Sequence, residues 1–318
     1  MIDLILRRIE KNETLSKNDI CTLLSVKTCS HEYYKLLYMA NEYSRITFGG
    51  KGMIFAQIGI DAQECRINCK FCSLAKGAFD SNKAYIKPLS DTVEQAKELV
   101  SCGIDDLFLM TTAEFSQKEF LEYGRAVRAV IPKTMRLVAN VGDFDEDYAK
   151  KLKTAGFTGA YHICRLGEGI DTAAAPQTRV NTMNVIKSAG LELYYCVEPI
   201  GPEHTNEAIA TEILRIQDYP VGVMAVMKRC PVKGTELFAN GEITAARLAQ
   251  ICAVTTLAAR PPRAMCVHEP DELSLMAGAN QIYAECGTNP RDSEKDTKNG
   301  RGFSVEKAKR ILRQTEWM

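Results

Sequence analysis

The segment MIFAQIGIDAQECRINCKFC, residues 53–72, joins an apolar run to three closely spaced cysteines. Its first eight residues form an apolar run of strand length, which predicts a buried β-strand. Cys65, Cys69 and Cys72 follow in the spacing C-x3-C-x2-C. The three cysteines are therefore expected on the loop that leaves the C-terminal end of this strand.

The chain beyond this segment alternates between short apolar runs and amphipathic helical segments. Eight strands are predicted in this way, at residues 53–60, 106–110, 136–141, 159–165, 191–197, 221–227, 264–268 and 281–284. Strands that alternate with helices indicate a parallel sheet. Eight such units favour an α/β fold of the closed (β/α)8 TIM-barrel type.

Two flanking segments complete the predicted organisation. Residues 1–50 read as an N-terminal helical segment, with Ser16 as the cap of its second helix. Residues 51–286 form the predicted barrel, and residues 287–318 form a polar, Gly-rich tail followed by a short helix. The tail is interpreted either as a flap over the barrel mouth or as a loop with a docking helix.

Composition limits the classes of protein that need consideration. The 318 residues are 46% apolar, and 40 basic residues balance 40 acidic ones, so no basic field argues for a nucleic-acid partner. No apolar run reaches 18 residues, and Asp3, Arg7 and Arg8 interrupt any signal-peptide pattern at the N-terminus. Twelve cysteines without secretory features predict a cytoplasmic protein with metal chemistry and no membrane partner.

Three kinds of site are considered for the cysteine loop. A disulfide is disfavoured by the odd number of cysteines, and a structural zinc site would need a fourth Cys or His nearby, where only Asn68 and Ser73 are found. Thiolates are also the usual ligands of iron–sulfur clusters. Three thiolates on a [4Fe–4S] cluster leave one iron open, and the amino and carboxylate groups of S-adenosylmethionine can chelate that iron. The cluster is the preferred interpretation.

Further polar and sulfur side chains are predicted near the C-terminal ends of the strands, where barrels collect functional residues. They are Glu114, Asn140, Asp143, Cys164, Arg165, Cys196, Glu198, Lys228, Cys230, Cys266, His268 and Cys286. The cysteines among them suggest a second metal or sulfur site. The alternative is that they are packed thiols of a cysteine-rich barrel.

The cysteine loop, with Phe71 before its last cysteine, resembles the signature loop of the radical S-adenosylmethionine superfamily. The whole chain is similar to the biotin-synthase-like branch, which includes hydrogenase-maturation enzymes. Three segments carry this resemblance: EPIGPEHT at 198–205, PVKGTEL at 231–237 and MAGANQI at 276–282.

The resemblance implies a set of residues around S-adenosylmethionine. Arg165 with Glu168 is similar to a family pair whose arginine binds the cofactor's carboxylate, a task suited to a guanidinium. The segment with Ile200 and Glu203 corresponds to a stretch near the adenine, and Glu114 replaces a glutamate that follows strand two. Phe71 belongs to the same set.

The implied activity is reductive cleavage of S-adenosylmethionine, followed by hydrogen abstraction from an unactivated C–H bond. Sulfur insertion of the biotin or lipoate type is the first expectation. It would use a second iron–sulfur cluster on Cys196, Cys230 and Cys266, with Cys286 or Arg291 as a fourth partner. Carbon-skeleton rearrangement or metallocofactor assembly, without sulfur transfer, is the alternative.

The sequence departs from the family pattern in two places. The glycine-glycine-glutamate typical of the family after strand two is absent, and Thr112-Ala113-Glu114 stands in its place. The second departure concerns the second cluster. Biotin synthase holds its second cluster with cysteines on strands two, three and five and an arginine on strand seven. Here strands two and three end without cysteine, while strand five offers Cys196 and strand seven offers Arg263 and Cys266.

The expected partners follow from the same chemistry. They are a small-molecule or carrier-bound acyl substrate and a low-potential electron donor such as ferredoxin or flavodoxin. A non-catalytic iron–sulfur carrier is the rival interpretation, because it would need only the three loop cysteines.

Overall fold

A closed barrel of parallel strands forms the centre of the molecule. The computed structural model describes residues 2–268, 271–287 and 303–318. In these residues the barrel has eight strands: β1 (Met53–Gly59), β2 (Asp106–Met110), β3 (Arg136–Asn140), β4 (Gly159–Tyr161), β5 (Glu192–Ile200), β6 (Val221–Lys228), β7 (Ala264–His268) and β8 (Gln281–Gly287). Each strand pairs in parallel with the next, and β1 closes the barrel by pairing with both β2 and β8. The predicted (β/α)8 barrel is confirmed.

Helices surround the strands and precede them. Their bounds are α1 (Ile2–Glu10), α2 (Lys17–Leu24), α3 (His31–Thr47), α4 (Leu89–Ser101), α5 (Gln117–Val130), α6 (Glu146–Thr154), α7 (Pro176–Ala189), α8 (Asn206–Arg215), α9 (Ala245–Ala259), α10 (Glu272–Leu275) and α11 (Val305–Gln314). Ser16 caps α2 in a capping box with Asp19, as its sequence position predicts. The strands are buried on both faces, β6 along all but its last residue, because helices cover the outside of the barrel.

Two strands differ from their predicted lengths, and both differences affect the site. Strand β4 ends at Tyr161 rather than at residue 165. Beyond Tyr161 the backbone no longer follows the regular parallel pairing, although Leu166 N–H still donates to Glu198 O of β5 at 2.8 Å. Strand β5 continues to Ile200, which pairs with Lys228 after a shift in register. Arg165 therefore lies on a loop, and Cys196 lies within a strand rather than at its end.

The end of the barrel opposite the cysteine loop is closed by the C-terminal helix. Trp317 is fully buried, and its indole Nε1 donates to Leu275 O at 2.9 Å. The amide of Gly52, just before β1, bonds Trp317 O. The predicted flap spans residues 287–302, and all of it beyond Gly287 lies outside the described residues. None of the described helices has the length and apolar character needed to span a bilayer.

Candidate functional site

A cavity of about 190 Å³ opens at the C-terminal end of the barrel strands. Cys65, Cys69 and Cys72 all line it, together with Phe71 from the same loop. The remaining charged and hydrogen-bonding side chains of its wall come from the barrel strands and the segments that follow them: Gln57, Thr111, Thr112, Asn140, Tyr161, Arg165, Arg179, Glu198, Arg229, Cys230 and His268. The loop cysteines thus face a chamber whose wall is partly polar and partly apolar.

The cysteine loop is held in place mainly by backbone hydrogen bonds. Lys70 N–H donates to Asp171 O at 2.9 Å, and Lys70 O accepts the amide of Leu237 at 3.0 Å. Within the loop, Asn68 adopts a left-handed conformation with φ 48°, which asparagine tolerates well, and its side chain accepts the amide of Lys76 at 2.8 Å. These hydrogen bonds fix the path of the loop that carries the three cysteines.

Glu114 supports this loop from outside the cavity. Its Oε1 accepts the amide of Arg66 at 2.8 Å, and its Oε2 lies 3.3 Å from Arg66 Nη1. Glu114 is absent from the lining of the cavity described above. Its contacts therefore support the loop that carries the cysteines.

Arg165 lies on the cavity wall between two carboxylates. Its Nη1 is 3.6 Å from Glu168 Oε2, and its Nε is 3.8 Å from Glu198 Oε1. Burial acts to lower the pKa of Arg165, but Cys69, Glu198 and Glu168 outweigh it and raise that pKa. Burial also raises the pKa of the Cys69 thiol to about 12, against the opposing effect of Arg165. The guanidinium remains charged beside the thiol.

Glu198 and Glu168 are themselves fixed by neighbours. Tyr161 Oη donates to Glu198 Oε2 at 2.8 Å, and burial raises the pKa of Tyr161 well above its usual value, so the phenol keeps its proton. Glu168 is buried behind Arg165, where it accepts the Arg165 amide at 3.0 Å and the hydroxyl of Thr172. Glu168 is thus a support for Arg165 rather than part of the cavity wall.

Arg179, on α7, was not predicted as a site residue. Its Nη1 donates to Asp143 Oδ2 at 2.9 Å, and its Nε lies 3.4 Å from Glu168 Oε2. His162 Nε2 lies 3.1 Å from Asp143 Oδ1. Burial acts to raise the pKa of Asp143, yet His162 and Arg179 hold it below its usual range. Sequence analysis could have identified Arg179 as a charged residue on the face of α7 that is buried.

A second unpredicted cavity residue is Arg229, which is fixed by Glu203. Arg229 Nη2 is 3.0 Å from Glu203 Oε2, and Nη1 contacts the other carboxylate oxygen, so the pair is bidentate. Gly201 makes room for this pair, since an added Cβ would lie 2.4 Å from Arg229 Nη1. Glu203 is not among the cavity-lining residues, and Ile200 is fully buried outside that lining.

The cysteines predicted for a second cluster are spread over two levels. Cys230 lines the cavity, whereas Cys196 and Cys266 lie in mid-barrel, where both pair with Ala225 from opposite sides. Both are almost completely buried, and burial raises the pKa of each thiol well above its usual value. The second cavity, which Cys266 lines, measures about 20 Å³, enough for about one water molecule.

Three further residues belong to the predicted strand-end and second-cluster set: Cys164, Cys286 and Arg291. Cys164 is buried, and burial raises its pKa to about 11, with Glu212 and Arg215 of α8 among the nearby charges. Cys286 belongs to β8, but its side chain and Arg291 lie outside the described residues.

Arg263 lies at the other end of the barrel from the cysteine loop. Its guanidinium pairs with Asp106 at 2.8 Å and with Glu192 at 3.1 Å, both at the starts of strands. Arg263 therefore cannot act with Cys266 as a ligand of a second cluster near the mouth of the barrel.

Across the described part of the chain, no three His, Cys, Asp or Glu side chains converge on a point suited to a single metal ion. A [4Fe–4S] cluster distributes its thiolates over separate irons, so its ligands stand further apart. The donor set of three thiols around one cavity fits such a cluster.

The chain has relatives among known proteins, although no protein-family model matches it. It is 26% identical over 250 residues to a biotin synthase of Clostridioides difficile (strain 630), covering 74% of this chain and 76% of that protein. The structure of methylornithine synthase (PylB) aligns with a TM-score of 0.81 at 17% identity, covering 98% of this chain and 95% of that one. The FeFe-hydrogenase maturase HydG from Carboxydothermus hydrogenoformans gives 0.79 at 15% identity, with 98% and 77% covered.

Proposed function

We propose that this chain, a member of the biotin-synthase-like branch of the radical S-adenosylmethionine superfamily, binds a [4Fe–4S] cluster through Cys65, Cys69 and Cys72. S-adenosylmethionine would occupy the iron that these residues leave open. When bound and reduced, the cluster would supply the electron for cleavage of S-adenosylmethionine, and the chemistry so provided would be hydrogen abstraction from an unactivated C–H bond. The observation that carries the proposal is that all three thiols and Arg165 line one chamber.

The chain's own residues would bind and orient S-adenosylmethionine. Both carboxylate contacts of Arg165, at 3.6 and 3.8 Å, are longer than a hydrogen bond, so its N–H groups remain available to a ligand carboxylate. Arg179 supplies a second guanidinium on the same wall, and it shares Glu168 with Arg165. Glu198, held by Tyr161, offers an acceptor for the ligand's amino group.

A substrate would occupy the part of the chamber near Arg229. Arg229 Nε has no hydrogen-bond partner among the described residues, although the side chain is only 2% exposed. A buried donor of this kind favours a ligand with an acceptor oxygen. Cys230 and His268 line the same chamber. We therefore propose a small polar substrate.

Of the two predicted reactions, the one without sulfur transfer has more support. A second cluster on Cys196, Cys230 and Cys266 would need space at mid-barrel, where the cavity of about 20 Å³ holds about one water. The sulfur-insertion prediction has a direct test in iron and sulfide analysis after anaerobic reconstitution. A second four-iron cluster would give about eight irons per chain, and a single cluster about four.

The proposed function is tested by electron paramagnetic resonance and product analysis of the reconstituted protein. Addition of S-adenosylmethionine should change the spectrum of the reduced cluster, and dithionite should drive release of 5′-deoxyadenosine. A cluster whose spectrum is unmoved by S-adenosylmethionine, without product, would instead favour the iron–sulfur carrier.

A further inference from the structure

The turn that follows β5 is closed by the side chain of His204. Gly201 N–H donates to His204 Nδ1 at 2.9 Å, and the amide of His204 donates back to Gly201 O at 3.2 Å. The imidazole side chain is only 9% exposed. An Nδ1 atom that accepts a hydrogen bond carries no proton, so this imidazole is neutral and its proton is on Nε2.

This turn determines where the guanidinium of Arg229 lies. Glu203, the residue before His204, binds both terminal nitrogens of Arg229, and Arg229 Nη2 also donates to Gly241 O at 3.0 Å. The backbone amide of Arg229 donates to Ile200 O at 2.8 Å, immediately before the turn. These bonds leave Arg229 Nε, which has no hydrogen-bond partner among the described residues, available to a ligand in the chamber.

Charged groups from three segments face the imidazole. Glu203 Oε1 lies 4.0 Å from His204 Nε2 on the same turn, and Arg229 follows β6. Asp171, which is 3.6 Å from Lys70 Nζ, comes from the segment between β4 and α7. Burial lowers the pKa of His204 below its usual value, and Arg229 acts in the same direction, while Glu203 and Asp171 oppose them. The neutral form therefore persists to a lower pH than in an exposed histidine.

We propose that His204 is a pH-sensitive positioning residue, whose neutral imidazole holds the turn and thereby holds Arg229 for a ligand in the chamber. This inference rests on the proposed function, in which the chamber near Arg229 receives the substrate. A proton taken up from solvent on Nδ1 removes the acceptor of the Gly201 amide, and a buried amide without a partner is costly. The turn then opens and Glu203 leaves Arg229. Ligand binding by Arg229 should therefore weaken as the pH falls below the pKa of His204.

The side-chain resonances of arginine report on this coupling directly. The Nε–H of Arg229 is followed in ¹⁵N–¹H spectra of the full chain labelled with ¹⁵N-arginine, with the cluster reconstituted and oxidised. The titration runs from about pH 8 to about pH 5.5, which spans the usual pKa of histidine. Arg229→Lys assigns the resonance by its loss. Arg263, whose Nε donates to Glu192 at 3.1 Å at the other end of the barrel, is the internal control for the fold.

The Arg229 resonance should shift toward that of exposed arginines, about half completely at the pKa of His204 and about 90% completely one pH unit below it. The Arg263 resonance should stay in place. His204→Asn should remove the shift, because an amide oxygen can accept the Gly201 amide but takes up no proton in this range. His31→Asn is the matched control and should keep the shift, because His31 is exposed at the start of α3.

A second variant, His204→Leu, removes the acceptor at every pH. Its Arg229 resonance should be shifted already at the upper end of the titration, and an unshifted resonance there would contradict the positioning role. If this variant does not fold, which loss of the Arg263 resonance would show, the comparison of unmodified protein with His204→Asn decides.

Two results with the unmodified protein and His204→Asn would overturn the proposal. One is an Arg229 resonance that does not move with pH, or that moves equally in His204→Asn. The other is loss of the Arg263 resonance over the same pH range, because the transition would then be general unfolding. Release of 5′-deoxyadenosine under dithionite is measured separately on the unmodified protein. Its absence would reject the proposed function, whereas the arginine spectra test His204 whether or not cleavage occurs.

Discussion

Arg165 Nε lies 3.8 Å from Glu198 Oε1 at the mouth of the barrel, while the other oxygen of Glu198 accepts the hydroxyl of Tyr161 at 2.8 Å. The carboxylate is thus fixed by a neutral donor and not by the nearest cation. Glu198 compensates the charge of Arg165 although Arg165 donates no close hydrogen bond to it. This arrangement suits the proposed role of Arg165 in binding a ligand carboxylate.

Arg165→Lys should weaken binding of S-adenosylmethionine while the cluster still assembles. A lysine ammonium cannot reproduce two parallel hydrogen bonds to a carboxylate, and the expected loss is about 1.5–3 kcal/mol, the range for hydrogen bonds to charged groups. Equilibrium binding to the reconstituted protein measures it, with the exposed Arg7→Lys as control. Unchanged affinity would assign Arg165 to substrate binding or to a structural ion pair.

Replacement of Cys65, Cys69 and Cys72 together by Ala should abolish both cluster binding and cleavage of S-adenosylmethionine. Without thiolates the loop has no ligand for iron, so the iron content should fall from about four per chain to near zero. Iron analysis and 5′-deoxyadenosine release under dithionite measure the two effects. Cys29→Ala is the matched control, because Cys29 is exposed and precedes the barrel. Product released by the triple variant would refute the cluster assignment.

Glu203→Gln should destabilise the protein, because it leaves the charge of Arg229 buried without compensation. The expected fall in the free energy of unfolding is about 1.5–3 kcal/mol. Urea denaturation of the cluster-free protein measures it, with the exposed Glu10→Gln as control. Combining Glu203→Gln with Arg229→Met should recover part of the loss, since the unpaired charge is then removed. Losses that simply add in the double variant would contradict this coupling.

The architecture could be predicted from the sequence because each strand is a short apolar run bounded by helical periodicity. The first strand and the cysteine loop were found where they were expected, since both depend on local patterns. Strand ends were harder to place. The limit of β4 at Tyr161 and the extension of β5 to Ile200 depend on backbone bonds between distant segments, which no local pattern encodes.

The same reason explains which site residues were missed. Arg179 and Arg229 line the cavity, and each is held there by a carboxylate far away in the sequence, Asp143 and Glu203 respectively. Neither arginine belongs to a short sequence motif. Cys196 and Cys266 were predicted as ligands at strand ends, and this prediction depends on how neighbouring strands are aligned. The sequence does not show that alignment, which sets how deep each cysteine lies in the barrel. Pairing of both with Ala225 places them below the mouth.

The stability of the cluster-free protein should fall as pH rises above about 9. Burial raises the pKa of Cys69 and Cys252 to about 12 and that of Cys164 to about 11. In the unfolded chain these thiols ionise near their usual value of about 8.5, whereas the folded chain keeps them protonated. The native state then binds more protons than the unfolded state, so the free energy of unfolding declines with pH.

Each such thiol contributes a slope of at most about 1.4 kcal/mol per pH unit between pH 9 and 11. Urea denaturation under anaerobic, reducing conditions at several pH values measures the total slope. Cys252→Ala should make it shallower by up to that amount, because Cys252 is fully buried on α9. Cys29→Ala is the matched control and should leave the slope unchanged, because Cys29 is exposed and precedes the barrel. The two variants are compared by the pH slope of their free energy of unfolding and not by its absolute value. A cavity at position 252 would lower that free energy at every pH and leave the slope unaffected. Equal slopes in the two variants would show that the buried thiols are not the groups that titrate.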